Sequence, residues 1–126
     1  AGHRVLRHES KCLHPHGHTY SFEVTVRAPE LDALGRVVDF GVLKAIVGQW
    51  LDDHWDHAFI AHQDDELIAW LAANKSRHYV LPYNPTAENL AKALGQVAQA
   101  LLPEPLVVMQ VKCQETPNCS ATWTPT

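Results

Sequence analysis

Apolar and polar residues alternate from Tyr20 to Arg27. Tyr20, Phe22, Val24 and Val26 share one face; Ser21, Glu23, Thr25 and Arg27 share the other. A period of two predicts a half-buried strand, and Pro29 ends it. The alternation returns in Val107, Met109, Val111 and Cys113, and again in Cys119, Ala121 and Trp123, which predicts two more strands. Residues 3–8 read as the end of another. Between these segments the period becomes helical. Phe40, Leu43, Ile46, Val47, Trp50 and Leu51 form one apolar stripe, preceded by a turn at Asp32–Gly35 and running out in Asp52-Asp53-His54-Trp55-Asp56-His57. A short amphipathic helix is predicted over Asp64–Ala73, with Leu67, Ile68 and Leu71 inward, followed by a brief extended piece, Tyr79–Leu81. A second long helix starts at Asn84-Pro85-Thr86-Ala87-Glu88, with Asn84 as cap, Pro85 at the first helical position and Glu88 in the first turn. Its stripe is Leu90, Ala91, Leu94, Val97, Ala98 and Leu101, and Pro103 and Pro105 stop it.

The main elements therefore run strand, strand, helix, helix, strand, strand. Without regular βαβ alternation, this order predicts an α+β fold, a four-stranded antiparallel sheet with two main helices on one face. Helices cover only that face, so the sheet edges stay open. Joining copies of the chain into a barrel would remove those edges. A length of 126 residues predicts a single domain spanning 1–126.

Composition narrows the chemistry. Apolar residues make up 46% of the chain, enough for an ordinary core, and the net charge of -4 offers no footprint for nucleic acid or an acidic membrane. No apolar run approaches the roughly 20 residues a membrane span needs. Cys12, Cys113 and Cys119 are an odd set with no signal peptide ahead of them, which predicts reduced thiols and a cytoplasmic location.

Nine histidines are many for this length, and three lie between residues 14 and 18. His16 and His18 are two apart, so on extended backbone both rings point to one face, and Gly17 between them permits close approach. Neutral imidazole is a favoured zinc ligand, and His3 on an adjacent strand would be the third. Three histidines leave a coordination position open, as catalytic zinc sites do. Cys12 precedes His16 by four residues. A thiol beside a cation and imidazoles is favoured as the thiolate and could serve as base, nucleophile or ligand, or it could be a buried apolar cysteine. Asp56-His57 and Asp53-His54 each place a carboxylate beside an imidazole, for proton transfer or as solvated helix-end charges. Glu115 continues the parity of Val111 and Cys113. A carboxylate there would need a planar donor edge such as that of a guanine-like ring, unless the strand has already ended. Arg4, Arg7, Lys11, Lys75 and Arg77 could meet a phosphorylated substrate or be surface charges.

Six segments lie in order: Ala1-Gly2-His3; Cys12 with three residues between it and His16-Gly17-His18; Val38-Asp39-Phe40-Gly41 with Leu43-Lys44; Asp56-His57-Ala58; Asn84-Pro85-Thr86-Ala87-Glu88-Asn89-Leu90; and Glu115-Thr116-Pro117-Asn118-Cys119-Ser120-Ala121. Together they resemble the 6-pyruvoyl-tetrahydropterin synthase superfamily, above all its bacterial 6-carboxy-5,6,7,8-tetrahydropterin synthase branch of queuosine biosynthesis. The resemblance implies a tunnelling fold, with trimers closing a barrel and two trimers stacking head to head as a homohexamer. It implies Zn2+ on His3, His16 and His18, Cys12 with Asp56 and His57 as the catalytic set, and Glu115 anchoring the pterin in sites between subunits. The implied reaction converts 7,8-dihydroneopterin triphosphate to 6-carboxy-5,6,7,8-tetrahydropterin, acetaldehyde and triphosphate. The alternatives are the sister lyase forming 6-pyruvoyl-tetrahydropterin and a zinc-bound pterin- or purine-binding module without turnover. The Cys-x3-His-Gly-His segment and the Glu-Thr-Pro-Asn-Cys ending favour the first, and an intact Cys12, Asp56 and His57 speak against the last.

Overall fold

In the computed structural model, which describes residues 1–126, the alternating segments pair as the period of two requires. Strand β3 (Ser21–Arg27) runs antiparallel to β6 (Val107–Thr116), which runs antiparallel to β7 (Cys119–Trp123). Phe22, Val24 and Val26 pack on the core and the intervening residues face outward. On β6 the expected parity fails at one end. Thr25 pairs with Gln110 but Val26 pairs with Val108, so Met109 is bulged out of the ladder. The extra residue flips the face of everything before it. Val108 is 1% exposed and Met109 38%.

The expected single four-stranded antiparallel sheet is corrected to two sheets. Beside the three-stranded antiparallel sheet stands a mixed one, in the order β2 (His16–Gly17), β1 (Gly2–His3), β4 (Phe59–His62), β5 (His78–Leu81). Strands β1 and β2 are antiparallel, whereas β1–β4 and β4–β5 are parallel. The strand expected over residues 3–8 stops at His3. Leu6 gives its backbone N–H to Asn84 Oδ1 at 2.9 Å and accepts from Asn84 Nδ2 at 3.1 Å, so a side chain replaces a ladder partner. Arg7 then turns through left-handed backbone (φ 67°), and a 3₁₀ turn occupies Lys11–Leu13. Ile60 and Ala61 are fully buried in β4, which the pattern did not reveal because its apolar run is too short to separate from a loop.

The first helical segment is continuous but not uniform: α1 (Phe40–Leu43), a π-helical stretch (Lys44–Gly48) and α2 (Gln49–His54). The wider i to i+5 turns rotate the start of the helix away from the stripe. Val47 is buried as expected, while Phe40 is 79% exposed, against expectation. Helix α3 covers Leu67–Ala73, and α4 covers Ala87–Leu101. The cap of α4 is Thr86, whose hydroxyl accepts from Asn89 N–H at 3.2 Å, and not Asn84, which is committed to Leu6. Leu90, Ala91, Leu94 and Ala98 bury the inner face of α4 against Val108, Val111 and Cys113. Gly95 permits the closest approach: a Cβ there would lie 2.1 Å from the Trp123 ring. Leu101, expected inward, is exposed.

Candidate metal centre and cleft

Pairing of β1 with β2 sets His3 opposite His16, and the chain then carries His18 back to the same point. The ligand nitrogens of His3, His16 and His18 all lie within 4.8 Å of one another. His3, 2% exposed, donates from Nδ1 to the Pro85 carbonyl at 2.6 Å, and His16 donates from Nδ1 to the His14 carbonyl at 2.7 Å. A carbonyl accepts only, so in both rings the proton sits on Nδ1 and the lone pair on Nε2. Those two Nε2 atoms face each other at 3.1 Å, and His18 Nε2 is buried with no partner. Burial pushes the His3 imidazole below its ordinary value, which keeps it neutral. Two lone pairs at repulsive range, with the unpartnered His18 Nε2 beside them, would be relieved by a cation between the three rings. Three nitrogens at about 2.1 Å from a tetrahedral ion stand roughly 3.4 Å apart; the His3–His16 pair is at 3.1 Å and the whole set within 4.8 Å. The donor set fits zinc.

Glu115 closes one side of this cluster. Its Oε1 lies 3.5 Å from His3 Nε2 and 3.6 Å from His18 Nε2, and it accepts from the Tyr20 hydroxyl at 3.5 Å. Burial, with Glu115 beside it, raises the Tyr20 pKa, so the phenol stays protonated and donates. The sequence-level choice for Glu115 thus resolves away from a solvated strand end: its carboxylate turns inward toward the histidines.

The three thiols separate by environment. Cys113 is fully buried in the core, where desolvation pushes its pKa up to about 12 and leaves it inert. Cys119 is exposed on β7. Cys12 is half-buried in the 3₁₀ turn, anchored by its carbonyl, which accepts from Val5 N–H at 2.8 Å, and its thiol is outside the histidine cluster.

An open cleft of about 910 Å³ adjoins the cluster; His18 and Tyr20 line one part of it, Asp56 and His57 another. Trp55, Phe22 and Leu51 supply an apolar wall. His57 Nδ1 is 3.1 Å from Asp56 Oδ1. The competing pair points elsewhere: Asp53 accepts from Gln49 Nε2 at 2.8 Å, and the His54 ring packs on Trp50 at 4.7 Å between centroids. Among the candidate cations, Arg4 is committed to Asp65, donating from Nε to Oδ2 at 2.8 Å and from Nη2 to Oδ1. The Arg4 guanidinium holds the Asp65 carboxyl below its usual range. This pair therefore stabilises the fold above the ordinary carboxylate range, and that contribution fades as pH falls through the lowered value. Arg4 follows His3 directly, so the same pair also anchors the metal-site strand to the start of α3.

The model of one family, 6-pyruvoyl tetrahydropterin synthase, matches residues 1–126. The chain belongs to this family. Proteins named 6-carboxy-5,6,7,8-tetrahydropterin synthase from Rickettsia bellii and Rickettsia conorii are 41% and 38% identical over 123 residues, covering 94% of this chain and 89% of theirs. A crystal structure of a Wolinella succinogenes protein superposes with a TM-score of 0.83 at 26% identity, covering 99% of this chain and 92% of that one. As a member of the 6-pyruvoyl tetrahydropterin synthase family, the chain brings His3, His16, His18 and Glu115 into one cluster, and Asp56 and His57 onto the adjoining cleft. Residues 82 positions apart in sequence orient the first ligand, His3 and Pro85. Sequence reading missed that role of Pro85, the His14 carbonyl, and Tyr20 as the donor to Glu115. All three act through backbone or through chain-distant contacts that leave no residue-type signature.

Proposed function

We propose that the protein is a zinc-dependent carbon–carbon lyase, a 6-carboxytetrahydropterin synthase acting in 7-deazaguanine (queuosine) biosynthesis. Its substrate is 7,8-dihydroneopterin triphosphate, and its products are 6-carboxy-5,6,7,8-tetrahydropterin, acetaldehyde and triphosphate. The observation that carries the reading is the convergence of three imidazole nitrogens beside a cleft that also holds Asp56 and His57. The names borne by relatives 38% and 41% identical favour the carboxypterin product over its pyruvoyl sister.

Zinc on His3, His16 and His18 would supply Lewis acidity toward the substrate's side-chain oxygens. The chain's own groups do the rest. Cys12 moves a proton on the side-chain carbons. His57, with Asp56 against its Nδ1, is the second acid/base. Glu115 accepts from the amide and amino groups of the pterin, and the aromatic wall of Trp55 and Phe22 excludes water. Residues 1–126 act as one domain in a cytoplasmic homo-oligomer, a trimer or hexamer, with sites shared between subunits. Two features support the shared site: the His57 side chain is 90% exposed in the single chain, and both outer strands of the antiparallel sheet, β3 and β7, have one unpaired edge.

The test is product analysis by mass on 7,8-dihydroneopterin triphosphate. Acetaldehyde and carboxypterin are the expected products. The pyruvoyl compound would assign the sister reaction, and binding without turnover would assign a pterin-binding module. Glu115→Gln should weaken pterin binding by roughly 10- to 150-fold, the worth of a charge-assisted contact of about 1.5–3 kcal/mol, because an amide offers one acceptor where the carboxylate offers two. Calorimetric titration with a pterin measures this. Unchanged affinity with a lowered Tm would make Glu115 structural.

A further inference from the structure

We propose that Arg77 is the positioning residue of the Asp56–His57 pair: its guanidinium fixes the turn that presents both side chains to the cleft. The inference rests on the reading of that pair as acid and base.

The end of α2 leaves carbonyls without helical donors. Trp55 and Asp56 both direct their N–H groups to the Leu51 carbonyl, at 2.9 and 2.8 Å. Arg77 supplies donors to two others. Its Nε donates to the Asp56 carbonyl at 2.8 Å, and its Nη2 donates to the Asp52 carbonyl. One planar fork therefore spans the last turn of the helix and the residue immediately before His57. Its charge also sits at the negative end of the helix dipole. His57 itself takes left-handed backbone (φ 57°), a conformation that a non-glycine residue keeps only when its surroundings hold it.

The His57 ring is open to solvent, with Asp56 Oδ1 3.1 Å from its Nδ1. Its direction is set by its backbone, and its backbone by the turn. Arg77 is in turn fixed from behind, because its carbonyl accepts from Phe59 N–H at 3.0 Å where β4 and β5 begin to pair. A single residue thus ties β5, the 56–58 turn and the end of α2 together. Arg77 forms no ion pair with a carboxylate, and it lines the same cleft as Asp56 and His57.

Arg77→Ala, Arg77→Lys and His57→Ala are compared with the parent protein for turnover of 7,8-dihydroneopterin triphosphate, zinc content and Tm. Arg77→Ala should lower kcat by roughly 10- to 100-fold, the scale of a misplaced catalytic group, with KM little changed and zinc retained. Arg77→Lys, keeping one donor and the charge, should fall between. Guanidinium chloride at millimolar concentration should restore part of the rate of Arg77→Ala and none of that of His57→Ala. Full turnover in Arg77→Ala with none in His57→Ala overturns the inference and leaves the acid–base reading standing. Full turnover in His57→Ala overturns that reading. A raised KM at unchanged kcat in Arg77→Ala would make Arg77 a substrate contact, and loss of zinc or of folding in both Arg77 variants would make it a fold residue; each overturns the positioning role.

Discussion

Replacing Cys12 by alanine is expected to leave zinc bound and the pterin held, yet to remove nearly all turnover. Loss of a positioned acid or base costs roughly 100- to 10,000-fold in rate. The geometry separates the two roles a thiol could play here. As a ligand, Cys12 would complete a closed, structural shell. Its thiol is not part of the histidine cluster, and the three imidazoles would already provide the protein's share of an open site. It is also the only cysteine suited to the work, since Cys113 is sealed in the core and Cys119 lies exposed on β7. Serine should not substitute, because its hydroxyl gives up a proton far less readily than a thiol does. Zinc content and kcat measured on one preparation decide the matter. Zinc retained with activity gone supports the proton-transfer role; zinc lost with activity makes Cys12 a ligand; activity retained leaves the chemistry to Asp56 and His57.

His16→Ala is expected to release the metal. The loss should exceed the roughly 10- to 100-fold in affinity that disturbing a ligand's hydrogen-bond partner costs, because here a ligand itself is removed. His16 occupies the short strand opposite His3, with its tautomer set by the His14 carbonyl. The fold should survive. The ring is only half-buried and contributes little to the core beneath α4. Metal analysis after dialysis, with a thermal melt on the same sample, reads both. Full zinc content in the variant would sink the site.

Much of the site is written in local patterns. The two-residue spacing of His16 and His18 put both rings on one face, and the strand from Tyr20 carried that parity into the core. The helical periods over Phe40–Leu51 and Leu90–Leu101 located the two main helical segments, of which α4 packs on the antiparallel sheet. Such patterns are legible because a strand or helix facing a core must repeat its apolar residues with its own geometric period.

What stayed hidden lies in contacts between distant segments. Met109 breaks the alternation through a bulge, which depends on how β6 meets β3 and not on β6 itself. The first strand ends early because Asn84 takes the backbone groups of Leu6, and Gly2–His3 joins a mixed sheet through parallel pairing with a segment more than fifty residues away. Asp56-His57 and Asp53-His54 are alike in local chemistry, and only the family resemblance favours the first; the turn at the end of α2 sends that pair to the cleft and leaves the other on the helix surface. The sequence by itself determined the residue types of the candidate metal centre and the face on which His16 and His18 stand, because both are local. Tertiary structure alone decided which nitrogen of His3 carries its proton, where Glu115 points and how the Asp56–His57 pair is turned to the cleft. Each of these is set by a partner tens of residues away, brought close only when the core beneath α4 packs.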